Sequence, residues 1–124
     1  MWHLDVVEAK VPNPETKARE DKLLMVAASY PNGGNSGGCR LLFAESSDGV
    51  TWTTYSKPVL VGKAGNWDAS EIYRSTLLYD ESRDVVRLWY SANSSDGKTP
   101  AYWTWRTGYS EQKYASLKAF LNRR

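Results

Sequence analysis

Apolar positions along this chain fall in short runs separated by turn-forming clusters, a spacing that predicts strands rather than helices. Residues 2–8, "WHLDVVE", are rich in β-formers. The polar stretch "KVPNPETKARED" follows, and its Pro12 and Pro14 predict a loop, since proline cannot continue a paired strand. Residues 22–30, "KLLMVAASY", are apolar almost throughout and have the length of a strand buried on both faces. After the turn-forming "PNGGNSGG", residues 39–45, "CRLLFAE", predict a third strand, and "VTWTTYSKPVLV" a fourth. Between these two lies "SSDG", a strong hairpin signal: glycine takes positive φ and the aspartate carboxylate bonds the amides ahead of it. Trp52, just beyond, is expected to pack between neighbouring blades of a repeating β-structure. Four strands joined in this way make an antiparallel meander.

After Gly62 the order begins again with "EIYRSTLLYDES", "DVVRLWYSAN" and "AYWTWRTGYSE". Residues 2–6 correspond to residues 73–77, "LLMVAAS" to "RLWYSAN", and "FAESSDGVTW" loosely to "RTGYSEQKY". A repeat built from four strands points to propeller blades. The tail "SEQKYASLKAFLNRR" changes period: Tyr114, Leu117, Phe120 and Leu121 share a helical face, Ser110 is placed to cap the start, and Glu111 would sit in the first turn. The expected fold is therefore all-β and β-propeller-like, with two four-stranded antiparallel meander blades and a short C-terminal helix. It would form one domain over residues 1–124, with blade one at about 2–61, blade two at about 71–110 and the helix at about 111–122.

Composition narrows the function. A formal net charge of +2 with scattered Lys and Arg gives no basic stripe, so nucleic acid is not an expected partner. No apolar run is long enough for a membrane span, and "MWHLDVVEAK" lacks the pattern of a signal peptide, so no membrane partner is expected. The single cysteine, Cys39, offers neither a disulfide framework nor a metal cluster, and neither a metal nor a cofactor is expected. What is in excess is aromatic: six Trp, eight Tyr and two Phe.

Taken together, "WHLDVV", "KLLMVAASY", "RLLFAESSDGVTW", "PVL", "NWDASEIYRSTLLYDE" and "VRLWYSA" resemble the five-bladed β-propellers of the glycoside hydrolase family 43 type, the arabinanase, levansucrase and invertase superfamily. The resemblance covers residues 1 to about 110 and amounts to two blades, so it implies further propeller blades or association of several copies. It also implies carbohydrate as the ligand and a central funnel lined by residues 2–5, 31–38, 62–74 and 93–100. "SSDGVTW" falls on the opposite face, as a structural turn.

His3 and Asp5 lie two apart on a strand and point to one side, where they would form a hydrogen-bonded pair or touch a sugar. The second funnel cluster is Trp67, Asp68, Glu71, Tyr73 and Arg74. Glycoside hydrolysis needs two carboxyl groups across the scissile bond, and the resemblance nominates Asp5, Asp68 and Glu71 for them. Trp2, His3, Trp67, Tyr73 and Arg74 are the candidate sugar contacts. Arg74 is foremost among them, because a cation on an inner strand calls for a carboxylate or a bound polar group. The family's full carboxylate set is not found, since Arg74 and Ser75 stand where an acid would be wanted. The competing expectation is a non-catalytic structural or adhesion module that meets protein through its blade faces.

Overall fold

Alternation of apolar and polar side chains, one face in and one face out, shapes both sheets. The computed structural model describes residues 3–30, 39–62, 66–69, 71–94 and 105–123. Strands β1 (Leu4–Pro12), β2 (Arg19–Ser29), β3 (Arg40–Ser46) and β4 (Thr53–Thr54) form a first sheet in the order β1-β2-β3-β4. Strands β5 (Glu71–Asp80), β6 (Val85–Asn93) and β7 (Arg106–Lys113) form a second, ordered β5-β6-β7, and helix α1 (Tyr114–Leu121) follows. All pairings are antiparallel. The fold is thus all-β with one short C-terminal helix, as the hydrophobic pattern predicts.

The structure corrects several details. The second sheet has three strands among the described residues, not four. "KVPNPETKARED" is not a loop throughout: β1 runs to Pro12 and β2 begins at Arg19, opposite it. Pro12 is tolerated because it ends a strand at the sheet's edge, where a missing donor breaks no inner ladder. The fourth strand shrinks to Thr53–Thr54 plus one bridge from Leu60 to Leu41, since Pro58 interrupts the pairing between them. The helix starts later than Ser110, because β7 stays paired with β6 out to Lys113 opposite Val85. Lys113 takes the N-cap position without a side-chain cap, and no acid occupies the first turn.

The core lies between the sheets. Val11, Leu24, Val26, Ala28, Leu41 and Phe43 of the first sheet meet Leu77, Val86, Leu88 and Tyr90 of the second, with Tyr114, Leu117 and Leu121 of α1 closing one end. Polar ties cross the same gap. Asp5 Oδ2 accepts the Leu77 N–H at 2.8 Å. Glu81 Oε1 accepts the Lys10 N–H at 3.3 Å. Arg19 grips Asp84 with both terminal nitrogens, at 2.6 and 3.0 Å, while Tyr79 donates to the same carboxylate at 2.8 Å. A two-pronged Arg–carboxylate contact fixes orientation as well as distance.

The helix is held by a half-buried polar cluster. Tyr114 donates to Glu45 Oε2 at 2.8 Å and Lys118 Nζ to Glu45 Oε1 at 2.5 Å, while Lys118 Nζ also donates to the Tyr55 hydroxyl. Burial and the bond to Glu45 push the Tyr114 hydroxyl up. Burial would lower Lys118, but the bonds to Glu45 and Tyr55 outweigh it and raise the ammonium group instead.

Candidate functional site

Topology gathers the nominated residues at one end of the sheets. His3 precedes β1, Tyr30 follows β2, Cys39 precedes β3, Glu71 to Arg74 open β5, Asn93 closes β6 and Trp105 precedes β7. Trp2 and residues 31–38, 63–65 and 95–104, which the sequence assigns to the funnel side, lie outside the described residues.

An aromatic row runs across this end. His3 meets Tyr73 edge-on with ring centroids 4.7 Å apart, and Tyr73 lies 5.7 Å from Trp105. Arg74 is exposed on β5, with its guanidinium 5.8 Å from the Tyr73 ring centroid. The partner expected for a cation on an inner strand is thus an aromatic face and solvent, because β5 turns this position outward. Burial raises the Tyr30 hydroxyl, and the nearby Glu71 adds to the shift. Burial and Glu71 likewise raise the Cys39 thiol, which keeps it protonated and unsuited to act as a nucleophile.

His3 and Asp5 share a side, as the strand period requires, but the pair expected between them is replaced. Asp5 turns to the Leu77 amide on β5, which lies at the edge of its sheet with no second strand beside it among the described residues. His3 Nε2 is buried and has no hydrogen-bond partner among the described residues. Arg40 Nε, Asp68 Oδ1 and both amide atoms of Asn93 share that condition, and all belong to residues at this end of the sheets. Asn93 is only 1% exposed.

Trp67 and Asp68 form a separate packing unit beside the row. Trp67 stacks on Tyr90 with centroids 5.7 Å apart and planes 18° from parallel. Asp68 is buried, and its Oδ2 accepts the Tyr90 hydroxyl at 3.4 Å. Burial and then Asp68 raise that hydroxyl. The layer closes on Gly108, where a Cβ would stand 2.5 Å from Tyr90 Cζ and 2.8 Å from Trp67 Cζ2.

At "SSDG" the turn chemistry is as the sequence predicts. Gly49 has φ of 77°, and Asp48 Oδ1 accepts the amides of Val50 at 2.8 Å and Thr51 at 2.7 Å. Those bonds hold the carboxyl below its ordinary value. Trp52 turns its indole N–H back on Gly49 O at 3.2 Å, inside the turn itself.

Sequence reasoning missed Tyr30, Asn93 and Trp105 at the strand ends, and the whole Glu45–Tyr55–Tyr114–Lys118 cluster. Among the described residues no group of three or more His, Cys, Asp or Glu side chains is placed to hold a metal ion, and no helix is long and apolar enough to cross a membrane.

The chain is 31% identical over 142 residues to the A type blood N-acetyl-alpha-D-galactosamine deacetylase of Flavonifractor plautii, an alignment that covers 97% of this chain and 17% of that protein. It therefore spans 17% of that curated relative's length. No family model matches the chain, and no solved structure matches it significantly.

Proposed function

We propose that the strand-end cluster binds carbohydrate, with an N-acetylated amino sugar as the ligand class, and that the chain is part of, or assembles with further copies into, a larger carbohydrate-acting ring. The observation that carries this reading is the concentration at one end of an aromatic row, His3–Tyr73–Trp105, and of buried polar atoms without partners among the described residues. Aromatic faces suit the apolar side of a pyranose, and unsatisfied amide and imidazole groups suit its hydroxyl and acetamido groups. The deacetylase relative supports the acetamido group as the distinguishing feature. In this reading the two sheets are two blades of a propeller-like ring, blade one at about 2–61 and blade two at about 71–110, within one domain. Helix α1 clamps the two.

Roles divide by environment. His3, Tyr73 and Arg74 contact the sugar and Glu71 supplies the carboxylate, whereas Asp5, Asp68 and Trp67 build the frame through Leu77 and Tyr90. Trp2 belongs with the contacts by its place in the chain. In this reading the catalytic carboxylate is Glu71.

Calorimetric titration with N-acetylgalactosamine, and with galactosamine as the control, tests this. The expected result is binding of the acetylated sugar that weakens about tenfold or more in Tyr73→Ala and in Arg74→Ala, a loss on the order of 1.4 kcal/mol. Absence of binding to either sugar and to a broad glycan panel would remove the carbohydrate reading. Equal affinity in the parent and Tyr73→Ala would remove the site. Acetate release that survives Glu71→Gln would remove the catalytic role of Glu71.

A further inference from the structure

Each sheet has one face in the core and one face that no other described element covers, and these two uncovered faces differ in kind. On the second sheet the uncovered face carries Thr76, Leu78, Arg87, Trp89, Tyr109 and Glu111. Leu78 is 45% exposed and Tyr109 46%. Trp89 and Tyr109 are register partners with rings 5.1 Å apart, and Arg87 lies over both. Trp, Tyr and Arg are the residues enriched at the centres of protein interfaces. On the first sheet the uncovered face is aliphatic toward the start of β1 and charged farther along it, where Glu8 and Lys10 are exposed. Leu4 (56% exposed) and Val6 (38%) on β1 stand beside half-buried Leu23, Met25 and Leu42.

The chain already contains one sheet-on-sheet contact that shows how such faces fit. There Asp5, on the covered face of β1, reaches the outward N–H of Leu77 on the edge strand β5. Strand β1 has outward N–H groups of the same kind. Ala28 N–H donates to His3 O at 2.8 Å, which sets the antiparallel alternation so that Leu4, Val6 and Glu8 direct their N–H groups away from β2. Residues 2–6 match residues 73–77 in sequence, so Thr76 stands where Asp5 stands and Val6 where Leu77 stands. Thr76 is exposed on the uncovered face of the second sheet and carries an acceptor oxygen.

We infer that the chain associates head to tail: the uncovered face of the second sheet of one copy packs on the uncovered face of the first sheet of another, as the first sheet packs on the second within a copy. Thr76 Oγ1 then accepts the Val6 N–H of the second copy, in the place of the Asp5–Leu77 bond. Leu78, Trp89 and Tyr109 cover Leu4, Val6 and Met25. The contact is heterologous, because it joins two different surfaces rather than one surface to itself. It stands apart from the sugar site, since both faces lie along the sheets and not at the strand ends.

Sedimentation equilibrium on the 124-residue chain decides the matter, against a monomer mass of 14.0 kDa. The expected result is a mass at least twice the monomer's that rises with concentration. Val6→Glu and Trp89→Glu each bring it back to the monomer, while circular dichroism melts confirm that both variants remain folded. An equimolar mixture of the two variants re-forms a complex that stops at two chains, because each supplies the face the other lacks. A parent chain that stays monomeric at every concentration overturns the inference. So does a mixture that stays monomeric, or a Trp89→Glu variant that associates as the parent does, which would indicate a self-complementary contact instead. None of these outcomes depends on sugar binding.

Discussion

Removing the Asp5 carboxylate leaves the Leu77 N–H at the junction of two sheets without its acceptor. Asp5→Ala is expected to cost about 1–3 kcal/mol in urea unfolding, the usual penalty for an orphaned donor. Asp5→Asn, which keeps an acceptor oxygen, should recover most of it. Gly108→Ala should cost a similar amount for the opposite reason, overpacking, since the added methyl meets Tyr90 and Trp67 at 2.5 and 2.8 Å; about 1–3 kcal/mol in the same measurement is expected. These positions also show what a sequence discloses residue by residue. The Asp48–Gly49 turn is legible because every bond in it closes within a few residues. The partner of Asp5 is not, because it lies 72 residues away and depends on how the sheets dock. For the same reason His3 and Tyr73 could be nominated singly for a site, but their edge-on contact could not be read beforehand.

Helix α1 is an element whose polar anchorage resides in four side chains, Glu45 and Tyr55 that it borrows and Tyr114 and Lys118 that it lends. Lys118→Ala leaves Glu45, which is 6% exposed, without its cation, and should cost about 2–3 kcal/mol, somewhat under the cost of breaking a fully buried pair because Lys118 is partly solvated. Glu45→Leu combined with Lys118→Met should be far milder than either change alone, as a double-mutant cycle would show. Lys118 and Tyr114 both have raised values in the folded state. Their contribution is therefore complete below the unfolded values of about 10.4 and about 10, and is lost as pH rises through the folded ones. Melting temperatures followed upward from pH 9 should fall at the alkaline end, and Glu45→Gln should blunt that fall. Most strands were legible because apolar residues mark the face they bury; β4 and β7, which are almost wholly exposed, lack that mark, and β2 buries chiefly one face where its apolar run suggests two. The limits of β1, β4 and α1 were not legible. Pairing carried β1 through Pro12 and β7 past Ser110, overriding local signals for a loop and for a helix cap.

For the molecule as a whole, acid should act in the opposite sense to base. Asp48, Asp80, Asp84 and Glu111 are all held below their ordinary values, Asp80 at about 2 by bonds from Ser82 and Arg83. Their stabilisation is present above the unfolded carboxylate range of about 4 and disappears as pH falls through the folded values. Urea midpoints measured from pH 6 downward should hold to about 4 and then drop toward 2, and Asp80→Asn should remove part of that drop. The bonds that join the first sheet to the second and to the helix have one further property in common. Asp5 to Leu77, Lys10 to Glu81, Arg19 to Asp84 and Tyr114 to Glu45 span 72, 71, 65 and 69 residues, while strand pairs within each sheet are neighbours in the chain. Contacts across long loops form late, since loop-closure entropy must be overcome before they stabilise anything. Each meander can therefore assemble on its own before the two meet. In a pulse of deuterium during refolding, the amides paired within β2 and β6 should become protected first, and the Leu77 amide, waiting for a carboxylate from the other end of the chain, among the last.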